Sequence, residues 1–498
     1  MKKQITILTL SFLLMNCCVN AQFIQQGPKL TGNGSVGKSE QGWSVSISGD
    51  GNSAIVGGPN DNGNIGAAWI YKRVAGIWTQ QGPKLVGTGA VGPAGQGRSV
   101  GISSDGHTAI VGGDDDNTFI GAAWIYVDSG GIWTQQGPKL VGTGYVGNVY
   151  QGFSVSISAD GNTAIVGGYS DNNFMGAAWV FTRSAGVWTQ QGNKLVGTGS
   201  IGTFVWQGYS VSLSADGNTA IIGGEYDNNL KGASWVFTRT GGVWSQQGSK
   251  LVGTGAVDLP YAANQGCSVF ISSDGNTTIV GGFQDNNDTG AVWIFTRTGN
   301  IWSQQGSKLV GTGGYGQYGS FQGSSVSISY SGDTAIVGGD YDSSGYGAAW
   351  IYIRSGGILT QQGSKLVGSG AVGFAGQGYS VGLSSDGYTA IIGGNLDNDT
   401  IGSAWIFYNE SAGIEQVNNV QERIVVFPNP TISIINIQQS SPSPNQQITI
   451  TNILGEEIYH QTNSSSQSSI DVSGWSRGVY ILQIRNEKET VAKKIIIE

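Results

Sequence analysis

The chain has 498 residues, of which 84 are glycine and 11% are charged, and its formal net charge is −8. An acidic chain with so few cations lacks the basic surface that nucleic-acid binding requires, so we expect no nucleic-acid partner. The glycines recur at fixed places, which indicates an ordered, turn-rich chain and not a flexible linker.

The first 21 residues have the pattern of an export signal. Lys2 and Lys3 form a basic start, residues 5–15 form an apolar core, and Val19-Asn20-Ala21 is a small-residue cleavage site. Lipid attachment at Cys17 or Cys18 is the alternative, but the residues before them fit that signal poorly. The mature chain, for which no transmembrane segment is expected, then keeps Cys267 as its one cysteine and can form no internal disulfide.

One segment, QGxSVxxSxxGxxxIxGGxxDNxxxGxxW, recurs seven times and determines the predicted architecture. Its Gln-Gly pairs lie at 41–42, 96–97, 151–152, 207–208, 265–266, 322–323 and 377–378, with spacings of 55, 55, 56, 58, 57 and 55 residues. Within residues 152–199, alternating and apolar runs separated by turn residues predict four short antiparallel strands. Four strands per repeat of this length are typical of a propeller blade, whereas a β-solenoid has shorter periods.

The two ends of the array predict a closed ring. A Gln-Gln-Gly motif marks the fourth strand and occurs seven times, but its first copy, at 25–27, precedes any complete unit. The seventh unit, which ends near Trp405, lacks a fourth strand. We therefore expect residues 22–34 to complete the last blade, because closure removes the exposed edges of an open array.

The repeats over residues 22–408 resemble the FG-GAP family of β-propeller repeats, known from integrin α-subunits and bacterial surface proteins. Gln-Gly replaces the Phe-Gly of that family, and Gly-Gly-x replaces Gly-Ala-Pro, with Gly57-Gly58-Pro59 as the nearest copy. The resemblance implies an all-β, seven-bladed propeller.

A different kind of sequence follows a polar linker at 409–423. The segment Phe427-Pro428-Asn429-Pro430, the segment Asn452-Ile453-Leu454-Gly455, the strand 478–484 and the terminal Lys493-Lys494 strand resemble the C-terminal sorting domain of the type IX secretion system of Bacteroidetes. Alternating strands predict a small β-sandwich over 424–498. The resemblance implies the secretion machinery as a partner, export across both membranes to the outer-membrane surface or beyond, and removal of this domain at the surface.

The loops between blades are the first candidate for a binding site. Every insertion in the array falls in this loop, at 197–208, 253–266 and 311–323, which points to blades four to six. Rigid scaffolds commonly carry function on variable loops, and aromatic rings offer faces to sugars or protein side chains. The candidate ligand-binding residues are Tyr150, Phe204, Trp206, Tyr261, Tyr315, Tyr318 and Phe321. Packing between neighbouring blades is the alternative for each ring, and Trp206 and Tyr150 are the two best candidates.

An aspartate at a fixed place in each strand 2–3 loop raises the question of calcium. Calcium takes six to eight oxygen ligands, and most loops offer one or two acids. We therefore expect no cofactor and predict that these aspartates accept backbone amides in Asx-type turns. Asp114, Asp116, Asp340 and Asp342 are the weak candidates for a calcium site.

Catalysis is not predicted. The sequence has no Ser-His-Asp arrangement, metal-binding cluster or phosphate loop. Two acids, Glu225 and Asp258, depart from the repeat, and both are expected to be exposed loop acids rather than a hydrolase pair. The sequence therefore favours a monomeric, exported binding or adhesion protein for an extracellular glycan or protein. A structural matrix component is the alternative, and a glycan-active enzyme is less favoured.

Overall fold

A computed structural model describes residues 22–258, 260–316 and 319–409, and in the C-terminal part 424–427, 431, 433–439, 446–452, 455–463, 465–485 and 490–497. The predicted export signal, Tyr318 and residues 410–423 of the predicted linker lie outside these ranges. The chain divides into two compact units between residues 412 and 413. Within the described ranges, no helix is long and apolar enough to cross a membrane.

The N-terminal unit contains seven four-stranded antiparallel sheets, one for each repeat. An N-terminal strand, β1, spans Phe23–Gln25. Blade 1 comprises β2 (Ser44–Ile47), β3 (Ser53–Gly58), β4 (Ala67–Val74) and β5 (Ile77–Gln80); blade 2, β6 (Ser99–Ile102), β7 (Thr108–Gly113), β8 (Ala122–Ser129) and β9 (Ile132–Gln135); blade 3, β10 (Ser154–Ile157), β11 (Thr163–Gly168), β12 (Ala177–Ser184) and β13 (Val187–Gln190); blade 4, β14 (Ser210–Leu213), β15 (Thr219–Gly224), β16 (Ala233–Thr240) and β17 (Val243–Gln246). Blade 5 comprises β18 (Ser268–Ile271), β19 (Thr277–Gly282), β20 (Ala291–Thr298) and β21 (Ile301–Gln304); blade 6, β22 (Ser325–Ile328), β23 (Thr334–Gly339), β24 (Ala348–Ser355) and β25 (Ile358–Gln361); blade 7, β26 (Ser380–Leu383), β27 (Thr389–Gly394) and β28 (Ser403–Asn409).

Ring closure occurs as predicted. Strand β1 pairs antiparallel with β28, with Phe23 opposite Asn409 and Gln25 opposite Phe407. The first strands of adjacent blades contact one another around the whole circle, including β2 of blade 1 and β26 of blade 7. The N-terminal unit is therefore a closed seven-bladed β-propeller.

The invariant residues of the repeat join each blade to the loop that precedes its first strand, which we call the entry loop. Blade 3 is the example. Trp179 is fully buried, and its indole nitrogen donates to the Thr143 carbonyl at 2.8 Å. The side-chain amide of Gln151 accepts from the Gly142 nitrogen at 2.6 Å and donates to the Gly142 carbonyl at 3.0 Å. A Cβ on Gly142 would lie 2.1 Å from the Trp179 ring, so that position must be glycine. These satisfied buried polar groups explain why the repeats vary so little here.

Each strand 2–3 loop contains one short helical turn. The seven turns are Asp61–Asn64, Asp116–Phe119, Asp171–Phe174, Asp227–Leu230, Asp285–Asp288, Asp342–Gly345 and Asp397–Thr400. In blade 3 the residues Asn172, Asn173 and Phe174 have φ of 51°, 57° and 67°, so the turn is left-handed. Such a conformation costs non-glycine residues about 1–2 kcal/mol each, and the asparagines common here tolerate it best.

The C-terminal unit is built from two sheets. One contains β29 (Ile424–Phe427), β30 (Ile434–Gln439) and β33 (Gln467–Asp471). The other contains β31 (Gln446–Asn452), β32 (Glu457–Asn463), β34 (Gly478–Arg485) and β35 (Thr490–Ile497). Isoleucines of both sheets, among them Ile435, Ile450 and Ile495, share one buried core, as the predicted sandwich requires.

Candidate functional site

The loops named as candidates lie on one face of the propeller. Strands 1 and 2 of each blade pair antiparallel, so that Ser154 at the start of β10 lies opposite Gly167 near the end of β11. The Gln-Gly entry, the end of strand 2 and the left-handed turn therefore share one end of the blade. We call this end the mouth of the central channel.

The channel itself contains a cavity of about 310 Å³ lined by the first strands of all seven blades, with many serines in its wall. At the end opposite the mouth, backbone hydrogen bonds join the turns of neighbouring blades, such as Ala159 N to Ala215 O and Ser385 N to Gly49 O. A Cβ on Gly49 would lie 1.8 Å from Ser104 Oγ, so a side chain has no room at that glycine. Neighbouring blades are therefore joined directly at this end of the channel.

A ring of seven variable residues surrounds the mouth. It consists of the residue after each Gln-Gly pair, and we call it the mouth ring: Trp43, Arg98, Phe153, Tyr209, Cys267, Ser324 and Tyr379. The Arg98 guanidinium lies 4.6 Å from the ring centroids of both Trp43 and Phe153. Trp43 also contacts Tyr379 at 4.9 Å, and Phe153 contacts Tyr209 at 4.7 Å. Five consecutive members thus form a continuous row of contacts across blades 7, 1, 2, 3 and 4.

Two further sets of variable residues flank the mouth ring. The Gly-Gly-x set follows strand 2 and consists of Pro59, Asp114, Tyr169, Glu225, Phe283, Asp340 and Asn395. The x-Gln-Gly set precedes each Gln-Gly pair and consists of Glu40, Gly95, Tyr150, Trp206, Asn264, Phe321 and Gly376. Neither the loop lengths nor the aromatic residues of the loops predict the mouth ring. Its signal is the variable x in an otherwise constant QGxSV.

Three of the predicted ligand-binding residues belong to one aromatic patch. We define the patch as Phe119, Tyr150, Phe153, Tyr169, Phe174, Phe204, Trp206, Tyr209 and Tyr226, which contact one another in series.

Tyr150 stacks on Tyr169 at 5.2 Å, Tyr169 lies 5.1 Å from Trp206, and Trp206 stacks on Tyr226 at 3.8 Å. Phe204 is 53% exposed at the outer edge of the patch, and Tyr150 and Trp206 are half-buried. The patch covers blades 2 to 4, so it overlaps the predicted sector of blades four to six only at blade 4.

The other predicted aromatics lie apart from this patch. Phe321 stacks on Tyr341 at 5.1 Å and lies 5.6 Å from Phe283, which forms a smaller cluster at blades 5 and 6. Tyr315 is 70% exposed, with the Lys365 ammonium 5.1 Å from its ring. Tyr261 is 52% exposed on the longest insertion, and Tyr318 lies outside the described residues.

Charge at the mouth is distributed unevenly. On the blade 2 side, Arg98 Nε lies 3.6 Å from Asp114 Oδ2. Burial nevertheless raises the pKa of Asp114 to about 6, with Arg98 opposing that effect. On the blade 6 side, burial raises the pKa of Asp340.

Glu225 corrects one prediction from the sequence. It was expected to be an exposed loop acid, but it is 4% exposed, because it directly follows the buried Gly-Gly end of β15. Burial raises the pKa of Glu225 to about 8. Among the described residues its Oε2 atom has no hydrogen-bond partner, and the same holds for Oε2 of Glu40 and Oδ1 of Asn264 and Asn395. The other acid, Asp258, is partly exposed and pairs with Lys231 at 3.3 Å.

The fixed aspartates each bind a lysine that the sequence analysis did not connect with them. The pairs are Lys29–Asp397, Lys84–Asp61, Lys139–Asp116, Lys194–Asp171, Lys250–Asp227, Lys308–Asp285 and Lys365–Asp342. The second carboxylate oxygen accepts a hydrogen bond from a backbone amide. That amide belongs to the entry loop and not to the aspartate's own turn. In blade 2, Val91 N lies 2.7 Å from Asp116 Oδ1. The carboxylate therefore joins two loops and does not form a local Asx turn.

The same contacts bear on the calcium candidates. Asp116 and Asp342 have their oxygens engaged by lysine and by backbone or hydroxyl donors, and Asp114 faces Arg98. Among the described residues, no group of three or more histidine, cysteine or acidic side chains is placed to hold a metal ion. This donor set does not offer the six to eight oxygens that calcium takes, so we derive no chemistry from a metal.

Comparison with known proteins bears on the C-terminal unit. Comparison with curated proteins finds no match. Among solved structures, the hydrazine synthase of Kuenenia stuttgartiensis is similar, at 13% identity and a TM-score of 0.45, over 72% of this chain and 95% of that chain; this likeness carries no functional argument. The family described as "Secretion system C-terminal sorting domain" matches residues 425–498. The C-terminal unit is therefore a type IX sorting domain, and the protein is exported to the outer-membrane surface or the extracellular space.

Proposed function

We propose that the protein is a non-catalytic, exported binding protein whose propeller mouth binds an extracellular glycan. The observation that carries this proposal is the aromatic patch, in which Tyr150, Tyr169 and Trp206 form a connected, partly exposed row beside the channel. Aromatic faces suit the apolar faces of sugar rings, and a rigid closed scaffold limits the entropy lost on binding. We also infer kinship of the blades with FG-GAP repeats, on the motifs given above.

Polar groups beside the patch support a glycan over a wholly apolar partner. Unpartnered acceptor atoms of Glu40, Glu225, Asn264 and Asn395 lie at the mouth. Sugars supply hydroxyl donors, and a buried acceptor left without one is unfavourable by about 1–3 kcal/mol. An aromatic surface with acceptors next to it therefore has the composition expected of a sugar site.

Binding of the purified protein to a broad glycan array, with calcium and with chelator, tests the proposal. We expect specific glycan signals that are insensitive to chelator. Trimming the entry loops 197–208, 253–266 and 311–323 to the 11 residues of the other blades tests the contribution of the insertions. An absence of signal on every glycan in both conditions would contradict the proposal and favour a protein partner or a structural matrix role.

A further inference from the structure

The mouth has a gap in its ring of large side chains between blades 4 and 5. In the mouth ring, Cys267 of blade 5 is small, whereas the five members from Tyr379 to Tyr209 are large. In the x-Gln-Gly set, Asn264 occupies the place that Trp206 and Phe321 fill in the adjacent blades. We call this break in the row of large side chains, at Cys267 and Asn264, the blade 4–5 gap.

Glu225 lies in this gap. Its carboxyl group interacts electrostatically with Tyr209 and with Cys267, the two mouth-ring residues on either side. The backbone carbonyl of Asn264 accepts from the Cys267 nitrogen at 3.2 Å, which places Asn264 in the same turn. Residues of blades 4 and 5 thus meet beside Cys267.

Two polar atoms in the gap are buried and unpartnered. Glu225 is 4% exposed and Asn264 is 3% exposed, and in the part of the chain that the structure describes neither Glu225 Oε2 nor Asn264 Oδ1 has a hydrogen-bond partner. The Cys267 thiol does not serve them, because it lies 3.3 Å from the Gly323 carbonyl. Asn264 Oδ1 accepts hydrogen bonds, and the Glu225 carboxyl group only accepts them once it has lost its proton, so a ligand that takes that proton's place would act as a donor to both groups.

The electrostatics favour a charged donor. Burial raises the pKa of Glu225, and no cation within the described ranges opposes that effect. This contrasts with Asp114, which faces Arg98 at 3.6 Å. Two tyrosine rings, Tyr209 and Tyr226, interact with the Glu225 carboxyl group, and aromatic faces attract cations. An ammonium group carries three donors and no acceptor, so it complements both the carboxylate and the amide oxygen.

We propose that the blade 4–5 gap binds the protonated primary amine of an amino sugar, through Glu225 and Asn264. This inference rests on the proposed glycan-binding function and adds the chemical class of the ligand. By taking the place of the proton on Glu225, an ammonium group would form a hydrogen-bonded ion pair with the carboxylate, which a neutral hydroxyl cannot form.

The test is titration calorimetry of the full protein with two probes, a β-1,4-linked glucosamine tetramer and its fully N-acetylated counterpart. We expect the free-amine probe to bind at least tenfold more tightly. Glu225→Gln, which keeps the shape of the side chain, should remove this preference. Asp274→Asn removes one acid from the hairpin turn of blade 5 at the opposite face, and this variant should retain the preference for the free-amine probe. Thermal melting of each variant verifies folding.

Proton exchange provides a second readout. Burial raises the pKa of Glu225 to about 8, so at pH 5.5 the free protein holds a proton there and the amines of the probe are already protonated; amine binding should then release a proton, measured in buffers of different ionisation enthalpy. Glu225→Gln should abolish that release.

Equal affinity for the two tetramers, or an unchanged preference in Glu225→Gln, would overturn the inference. Tighter binding of Nα-acetyl-lysine amide than of the glucosamine tetramer would contradict the claim that the bound amine belongs to a sugar. If neither tetramer binds while other glycans bind on the array, the amine inference fails and the proposed function stands.

Discussion

Lys29 and Asp397 are 368 residues apart in the chain, yet the Lys29 ammonium lies 2.5 Å from Asp397 Oδ2. The same contact recurs within every other blade, between Lys139 and Asp116 for example. The N-terminal segment thus restores in blade 7 both the missing strand and the loop-to-loop ion pair. Closure of the ring uses the same interactions that hold each single blade together.

Loss of this pair should destabilise the propeller. In Lys29→Met the Asp397 carboxylate, whose side chain is 0% exposed, keeps its burial and loses its cation. Removal of one partner of a buried ion pair typically costs about 3–5 kcal/mol. Urea unfolding followed by tryptophan fluorescence measures the loss, and Lys139→Met is the matched control inside blade 2. A change below about 0.5 kcal/mol in either variant, the range of ordinary surface substitutions, would refute the structural role assigned to the pairs.

The first glycine of each Gly-Gly pair should not tolerate a side chain. A Cβ on Gly167 would lie 2.2 Å from the Gly208 carbonyl of the next blade. Gly167→Ala must therefore push blades 3 and 4 apart, and we expect a loss of about 1–3 kcal/mol. Gly474→Ala, where nothing lies within 4 Å of the added atom, is the comparison. Equal unfolding midpoints for Gly167→Ala and the wild-type protein would show that the blades are not packed this closely.

Glu225 should give the protein a specific pH dependence. Its pKa is about 8 when folded and near 4.5 when unfolded, so between these values the folded state holds a proton that the unfolded chain has lost. Stability must therefore fall as pH rises from about 4.5 to 8, by several kcal/mol in total.

Glu225→Gln removes that contribution. The unfolding free energy of the variant minus that of the wild-type protein should increase as pH rises through this window. Chemical denaturation of both proteins at pH 5, 6.5 and 8 can measure this difference. A difference between the two proteins that stays constant with pH would contradict the burial of an unpaired acid.

The sorting domain should be dispensable for folding of the propeller but required for export. The propeller residues and residues 425–498 belong to separate compact units. Deletion of 425–498 in the native host should therefore leave folded propeller inside the outer membrane, as cell fractionation with protease protection can show. Surface display of the truncated chain at wild-type levels would contradict this expectation.

Much of the fold could be predicted because one repeated segment forms all seven blades. Seven copies of one motif give the blade number, and the unmatched Gln-Gln-Gly at residues 25–27 gives the closure. The ion pairs also left a signal, since a lysine follows the fixed aspartate by 23 residues in six blades, as in Asp171 and Lys194. This regular spacing does not by itself predict the ion pairs, because a separation along the chain does not show that two loops are in contact.

The site was less predictable, for physical reasons. Loop length pointed to blades four to six, but the contacts of Tyr150 with Tyr169 and Phe119 depend on side-chain directions that a sequence does not state. Glu225 was interpreted as an exposed loop acid, although its place directly after the buried glycines of β15 predicts burial. A comparison of the blades at each variable position would have found the mouth ring.

Glycan-array binding by the purified wild-type protein, Trp206→Ala and Phe374→Ala tests the central claim most directly. Trp206 lies in the aromatic patch, whereas Phe374, 58% exposed on blade 7, contacts only Tyr346 among the ring pairs described. We predict that Trp206→Ala weakens the specific signals at least tenfold, about 1.4 kcal/mol, and that Phe374→Ala retains them. Full binding by a folded Trp206→Ala protein would show that the ligand does not bind at the aromatic patch.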